Sequence, residues 1–199
     1  AYLNSSAIYN CYNHANISCL SSSYISAAGI ASYIQHSSIK NCYNVGDISG
    51  IYDGTSGITL NVGGIVGYSS DANLQSCYNL GNISHNGGSV IIGGIMGWQV
   101  NIGKVANFYS ASNYIYTMYS GYNKNIGGIL GYYKSSSSGS WSNYYWLSTA
   151  NVTTLNGVIN SIQGQSTSEQ LKALVSNGNL SSTDWATNSS IDNGYPYLK

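Results

Sequence analysis

Apolar positions over the first 150 residues fall in short runs, broken every few residues by Gly, Asn or Ser. One run reads Val62-Gly63-Gly64-Ile65-Val66-Gly67-Tyr68. It returns as Ile92-Gly93-Gly94-Ile95-Met96-Gly97-Trp98 and as Ile126-Gly127-Gly128-Ile129-Leu130-Gly131-Tyr132, and a worn copy spans Ala27 to Tyr33. The central Ile positions are 30, 65, 95 and 129, in steps of 35, 30 and 34. A second run alternates with the first: Ile8-Tyr9-Asn10-Cys11-Tyr12-Asn13, Ile39 to Asn44, Leu74 to Asn79, Val105 to Ser110, and a weak fifth copy at Trp141 to Tyr145. Its Cys/Phe/Tyr column sits at 11, 42, 77, 108 and 144, in steps of 31, 35, 31 and 36. Two columns that drift together mark a true repeat.

The runs are β-branched and aromatic and are bounded by turn residues, which predicts strands. No helical period occurs before residue 165. A unit with two strand blocks cannot bury its apolar face alone, so units must stack. The prediction is an all-β fold: a parallel β-helix, or β-solenoid, of about five coils of 30–35 residues over residues 1–150. Gly50 to Leu60 and Tyr114 to Asn125 are expected as flanking loops. Strict alternation cannot put both Ile39 and Cys42 inside, so a bend is expected near Asn41.

Turns follow the second block, as in Asn44-Val45-Gly46-Asp47 and Asn79-Leu80-Gly81-Asn82. Gly46 and Gly81 are expected to supply positive φ. Asn16, Asp47, Asn82 and Asn113 then form a polar column whose side chains can bond along the stack. Residues 151–199 read as a cap for the open end of the solenoid. Within it, a capping box over Ser166 to Glu169 predicts one short helix at about 168–176.

Composition narrows the chemistry. The 199 residues carry six Lys, no Arg and six acids, 6% charged in all, beside 35 Ser, 24 Asn, 24 Gly and 20 Tyr. A soluble domain usually carries about 25% charged residues. There is no basic surface for nucleic acid and no polybasic patch for anionic lipid. No run approaches the ~18 apolar residues of a membrane-crossing helix. The chain opens Ala-Tyr-Leu-Asn without Met, and reads as a processed protein or an excised piece of a larger multidomain one.

Cys11, Cys42 and Cys77 share a column with aromatics, which predicts an inward structural ladder. Cys19 lies outside it, and a bridge to Cys11 or Cys42 stays open at this point. No Cys or His spacing suits a metal, and no cofactor motif appears: the Gly-Gly-Ile-x-Gly block lacks the Lys and helix of a phosphate loop. His14, His36 and His85 read as solvated loop residues. Asp47, Asp53, Asp71, Glu169, Asp184 and Asp192 place no two acids on neighbouring positions of adjacent coils, whereas a glycoside hydrolase needs two facing one bond. Catalysis is therefore not expected.

The aromatic columns are the unusual resource. Tyr33, Tyr68, Trp98 and Tyr132 form one. Tyr12, Tyr43, Tyr78, Tyr109 and Tyr144 form the other. Tyr combines an apolar body with a polar tip. The columns are candidate binding residues for a glycan or a protein, or else ladders that cover the wall. Gly64, Gly67, Gly94, Gly97, Gly128 and Gly131 are expected to be structural, where backbones approach closely.

The blocks Gly64-Ile65-Val66-Gly67, Gly94-Ile95-Met96-Gly97 and Gly128-Ile129-Leu130-Gly131 resemble the GLUG motif, and roughly residues 1–150 look like a GLUG-repeat region. The ending Asn193-Gly194-Tyr195-Pro196-Tyr197-Leu198 resembles the close of such regions. Ser32 stands where the pattern has Gly. The resemblance implies a repeat region of secreted or surface-anchored bacterial proteins, among them adhesin-like proteins and the non-catalytic N-terminal regions of IgA-specific metallopeptidases. It implies an extracellular or cell-surface setting, with a host protein, cell-surface protein or glycan as partner. The zinc motif of those peptidases is missing, so no protease activity is implied.

Overall fold

The computed structural model describes residues 1–54, 59–118, 124–134, 140–147 and 165–199. The chain winds as a parallel β-solenoid of about four turns. The sequence count of about five exceeds this because the fifth copy starts a turn with Leu130–Lys134 and Ser140–Leu147 and adds no described strand to the two other sheets. The expected boundary near residue 150 lies outside the described residues.

Each turn contributes to three sheets rather than two. In the long sheet, Val66–Asn79 pairs in register with Met96–Ser110 above it and with Ala31–Gln35 and Ser38–Asn44 below. It bends at two corners per turn. Ser5, His36, Asp71 and Asn101 stack at one corner, with φ between 46° and 49°. Asn10, Asn41, Ser76, Asn107 and Asn143 stack at the other, with φ between 52° and 61°. Asn and Asp tolerate this left-handed region best among residues with a side chain. The second corner is the bend expected near Asn41, and it turns Ile39 and Cys42 to the same interior.

The second sheet stacks Ile17–Ser21, Ile48–Tyr52, Ile83–Asn86 and Ile115–Thr117. The third stacks Ser26–Ala28, Thr59–Gly63, Ser89–Gly93 and Lys124–Gly127. The stretches expected as flanking loops thus hold strands. Alternation of Ile48, Gly50 and Tyr52 toward the core carries the β signal there.

Two cores lie side by side in each turn. One gathers Ile39, Cys42, Ile65, Leu74, Cys77, Ile95, Val105 and Phe108 inside the long sheet. The other gathers Ile48, Leu60, Val62, Ile83, Val90 and Ile92 between the second and third sheets. Burial of each such side chain contributes about 1.5–3 kcal/mol. A polar waist separates the cores. Asn13 Nδ2 donates to Asn44 Oδ1 at 2.7 Å, Asn44 Nδ2 to Asn79 Oδ1 at 2.7 Å, and Asn79 Nδ2 to Ser112 Oγ at 2.9 Å. Each amide also donates to a turn carbonyl two residues on, of Ala15, Gly46 or Gly81.

The second glycine of the first two full blocks faces this waist, whereas Gly128 of the third faces the Trp146 indole. A Cβ on Gly64 would stand 2.5 Å from Asn79 Cγ and against the carbonyl of Gly94, and one on Gly94 would stand 2.5 Å from Ser110 Oγ. The last glycine of each block faces the third sheet of the turn below: a Cβ on Gly97 would lie 2.9 Å from Val62 N, and one on Gly131 2.6 Å from Ile92 O. Ser32 stands at the glycine position of the pattern, and its hydroxyl donates to Ala1 O at 2.9 Å.

Gly46 and Gly81 do not adopt positive φ. They are small because the turns stack carbonyl on Cα: a Cβ would collide with Ala15 O and Gly46 O respectively. The Asn16 column bonds differently from expectation too. Asn16 Oδ1 accepts from Asp47 N at 2.9 Å, Asp47 Oδ1 from Asn82 N at 2.8 Å, and Asn82 Oδ1 from Asn113 N at 3.1 Å. Amide-to-amide bonding occurs instead in the Asn13 column, three residues upstream, and at the second corner, where Asn41 Nδ2 donates to Asn10 Oδ1 and Asn143 Nδ2 to Asn107 Oδ1.

The C-terminal segment holds the expected short helix, but it spans only Ser168–Lys172, and Thr167 caps it with Gln170 in a capping box, rather than Ser166 with Glu169. Among the described residues of the segment, Leu171, Leu174, Leu180 and Trp185 lie along the flank and pack on Tyr78, Tyr109, Tyr145 and Leu147, while Gln165–Ser166 extends the long sheet beside Trp146–Leu147.

Candidate binding face

The first aromatic column runs along the outside of the long sheet, half-buried from Tyr33 to Tyr132. It begins one turn earlier than expected, at Tyr2 opposite Tyr33. Tyr2, Tyr33 and Tyr68 stack with centroids 4.8 Å apart and planes within 9°. The strand spacing itself dictates this, since in-register rings one rung apart meet face to face. Stacked in this way, Tyr33 spends both ring faces on neighbours, and Tyr68 spends one on Tyr33. Partial burial pushes the Tyr68 phenol above its ordinary pKa.

Trp98 breaks the ladder. It meets Tyr68 at 66° and Tyr132 at 86°, edge to face on both sides. Its indole N–H is enclosed, with no acceptor in reach among the described residues.

The second column has a different fate. Tyr12 is exposed and Tyr43 half-buried, with His14 Nε2 3.2 Å from the Tyr43 hydroxyl. Tyr78 and Tyr109, expected as candidate binding residues, are 1% and 0% exposed. The C-terminal segment covers them: Tyr78 OH donates to Asp192 Oδ2 at 2.8 Å, Tyr109 OH donates to Pro196 O, and Trp185 tilts against both rings at 5.8 and 5.9 Å. Desolvation and the Asp192 carboxylate push the Tyr78 phenol far above its ordinary range. The fifth member is Tyr145, opposite Tyr109, and not Tyr144, which continues the inward Cys42–Cys77–Phe108 column.

The four cysteines are free thiols. Cys42 and Cys77 are buried as expected, and desolvation raises the Cys42 thiol to about 11. Cys11, at the first turn, is exposed. Cys19 cannot pair with this column because it faces the other core, in register with Gly50. His14 and His36 are exposed, but His85 is not a solvated loop residue. It lies inside the second sheet, 1% exposed, with Nδ1 3.1 Å from Thr117 Oγ1, and burial lowers its pKa to about 4. The signal was its place two residues after Ile83, an inward position of the alternation.

Among the described residues no three His, Cys, Asp or Glu side chains gather where they could hold a metal. An open polar cleft of about 340 Å³ in the C-terminal segment is lined by Lys172, Thr187, Asn188, Ser189, Asn193 and Gly194. The ladder residues Asn13, Asn44 and Asn79 were missed in the sequence as structural residues, although Asn closes each Cys-Tyr-Asn triplet. Compared with family models, curated proteins and solved structures, the chain finds no match.

Proposed function

We propose that the chain is a non-catalytic repeat module of a secreted or surface-anchored bacterial protein, working as a stalk with an adhesive outer face. The GLUG resemblance supplies the setting. The stacked Tyr2–Tyr33–Tyr68 ladder carries the reading. Rings whose faces are buried in one another stiffen a wall and leave hydroxyl tips for protein contacts, but they are a poor platform for sugars, which bind by stacking on an open ring face. The acids are also engaged structurally at two places, Asp47 on Asn82 N and Asp192 on Tyr78.

One observation favours a carbohydrate-binding module as the second reading: the ladder breaks at Trp98, where perpendicular packing interrupts the face-to-face series. A glycan array separates the two. Under the first reading the array stays silent while beads coated with the protein adhere to protein-rich surfaces, and Tyr33→Ser with Tyr68→Ser weakens adhesion. Array binding lost in Trp98→Ala would favour the second. Release of reducing ends or unsaturated products from a polysaccharide panel would overturn both.

A further inference from the structure

In each turn one corner joins the second sheet to the third. Residues 22–25, 53–58 and 118–123 make that link in the first, second and fourth turns. In the third turn Gly87 and Gly88 make it alone. Both adopt positive φ, +85° and +63°, which glycine does at no steric cost. A Cβ on Gly87 would also strike the carbonyl of Tyr52. The tight corner thus requires glycine directly after Asn86, an exposed residue that ends its strand. Asn followed by Gly is a reactive pair, because no Cβ hinders attack of the glycine nitrogen on the Asn side-chain carbonyl. Three such pairs lie among the described residues, at Asn86, Asn177 and Asn193, and all three Asn are exposed. Their glycine nitrogens differ. Gly178 N donates to Val175 O at 3.1 Å, and Gly194 N donates to Ile191 O at 2.9 Å. The ladders around Asn86 stop before Gly87, at His85 opposite Thr117 and at Asn86 opposite Ile51. Gly87 N has no acceptor among the described residues.

We infer that Asn86 is a self-modification site, converted with water as the co-reactant into aspartyl and isoaspartyl residues. Gly87 N bonds to Asn86 Cγ, the Cγ–Nδ2 bond breaks, and ammonia leaves with the glycine N–H proton. Water then opens the five-membered imide. Attack at Cγ breaks its bond to Gly87 N and yields Asp. Attack at the backbone carbonyl carbon breaks the other imide bond and yields isoAsp, whose main chain runs through the side chain. Either product puts a carboxylate in register with Ile51 and Leu20 on the second sheet. In a chain with six acids and a formal net charge of zero, that one charge is a large change. The inference stands apart from the adhesive reading, since it uses only the corner.

Peptide mapping by mass spectrometry tests this on the 199-residue chain, incubated at neutral pH with and without urea. In native buffer Asn86 is expected to convert about fivefold faster than Asn177 or Asn193, the worth of the hydrogen bond that Gly178 or Gly194 must first break. Each conversion reads as a gain of about one dalton and as an isoelectric point shifted below 7.0. In urea the three sites are expected to convert at similar rates. Asn86→Gln is expected to abolish the early acidic species with circular dichroism unchanged. Conversion of Asn177 or Asn193 ahead of Asn86 in native buffer overturns the inference. So does an Asn86 that persists in native buffer while it converts in urea. An equal lead in urea and in native buffer also overturns it, because the selection then lies in local sequence and not in the corner.

Discussion

The hydroxyl of Tyr78, in the third turn, donates to the carboxylate of Asp192, 114 residues along the chain, at 2.8 Å. This bond, with those of Tyr109 to Pro196 and Asn179 to Tyr145, fastens the C-terminal segment along the flank of the solenoid. A hydrogen bond to a charged group contributes about 1.5–3 kcal/mol. Tyr78→Phe is expected to destabilise the segment by about 1–2 kcal/mol, read by urea denaturation with Trp185 fluorescence. An unchanged midpoint would mean that the packing alone holds it.

The waist makes a second prediction. Asn79 accepts from Asn44 and donates to Gly81 O and Ser112 Oγ, fully buried. Asn79→Leu is expected to leave one N–H of the buried Asn44 amide without its acceptor, at about 1–3 kcal/mol, while Gly81 O keeps the Ser112 hydroxyl as donor. Thermal unfolding should fall sharply or the chain should fail to fold. Asn113→Leu, at an exposed turn position, is the comparison and is expected to change little.

Glycine positions divide by sterics. Gly64→Ala puts a methyl 2.5 Å from Asn79 Cγ and into the Gly94 carbonyl, so a loss above ~3 kcal/mol is expected. Gly178→Ala meets nothing within 4 Å, and only its φ of +75° is strained. Its expected loss is about 1 kcal/mol. Equal losses in denaturant titrations would count against the waist contact.

His85 sets an acid limit. Burial holds its folded pKa at about 4, below the ordinary 6.5. The unfolded chain therefore binds a proton that the folded chain refuses. The stability from a neutral His85 is full above about pH 6.5, falls as the pH drops toward 4, and levels off below it. The loss is on the order of 3 kcal/mol, from 1.36 kcal/mol per unit. His85→Gln is expected to flatten the stability profile between pH 6.5 and 4; a profile unchanged from that of the parent would refute the assignment.

Thiol labelling reads the two cores. Cys11 is exposed and is expected to react with a thiol reagent fastest, Cys19 more slowly, and Cys42 and Cys77 only after unfolding. The thiolate is the reactive form, and desolvation raises Cys42 to about 11. Rapid labelling of Cys77 in native buffer would contradict its burial.

Much of the fold was legible because repetition amplifies weak local signals. One Gly-Gly-Ile block means little, but three in phase with a Cys/Phe/Tyr column define a stack and its registers. Cys42 opposite Cys77, and Tyr68 opposite Trp98, follow from counting alone. Where repetition faded, so did the reading. Trp141 to Tyr145 carries two adjacent tyrosines, and nothing local tells which one faces inward. The second sheet hid behind the turns and variable stretches, because strands such as Ile115–Thr117 are too short to show alternation.

By itself the sequence determined the parallel stack, its period, the burial of Cys42 and Cys77 and the places of the turns, since each depends on residues a few positions apart or on the same position one turn later. The tertiary structure alone decided which aromatic column stays open. Tyr33 and Tyr78 each belong to an aromatic column that the repeat defines, yet Trp185, Asp192 and Pro196 come to lie on Tyr78 and its neighbours from the far end of the chain. No periodicity links these residues. Only packing in three dimensions buries Tyr78 and leaves Tyr33 half-exposed on the wall.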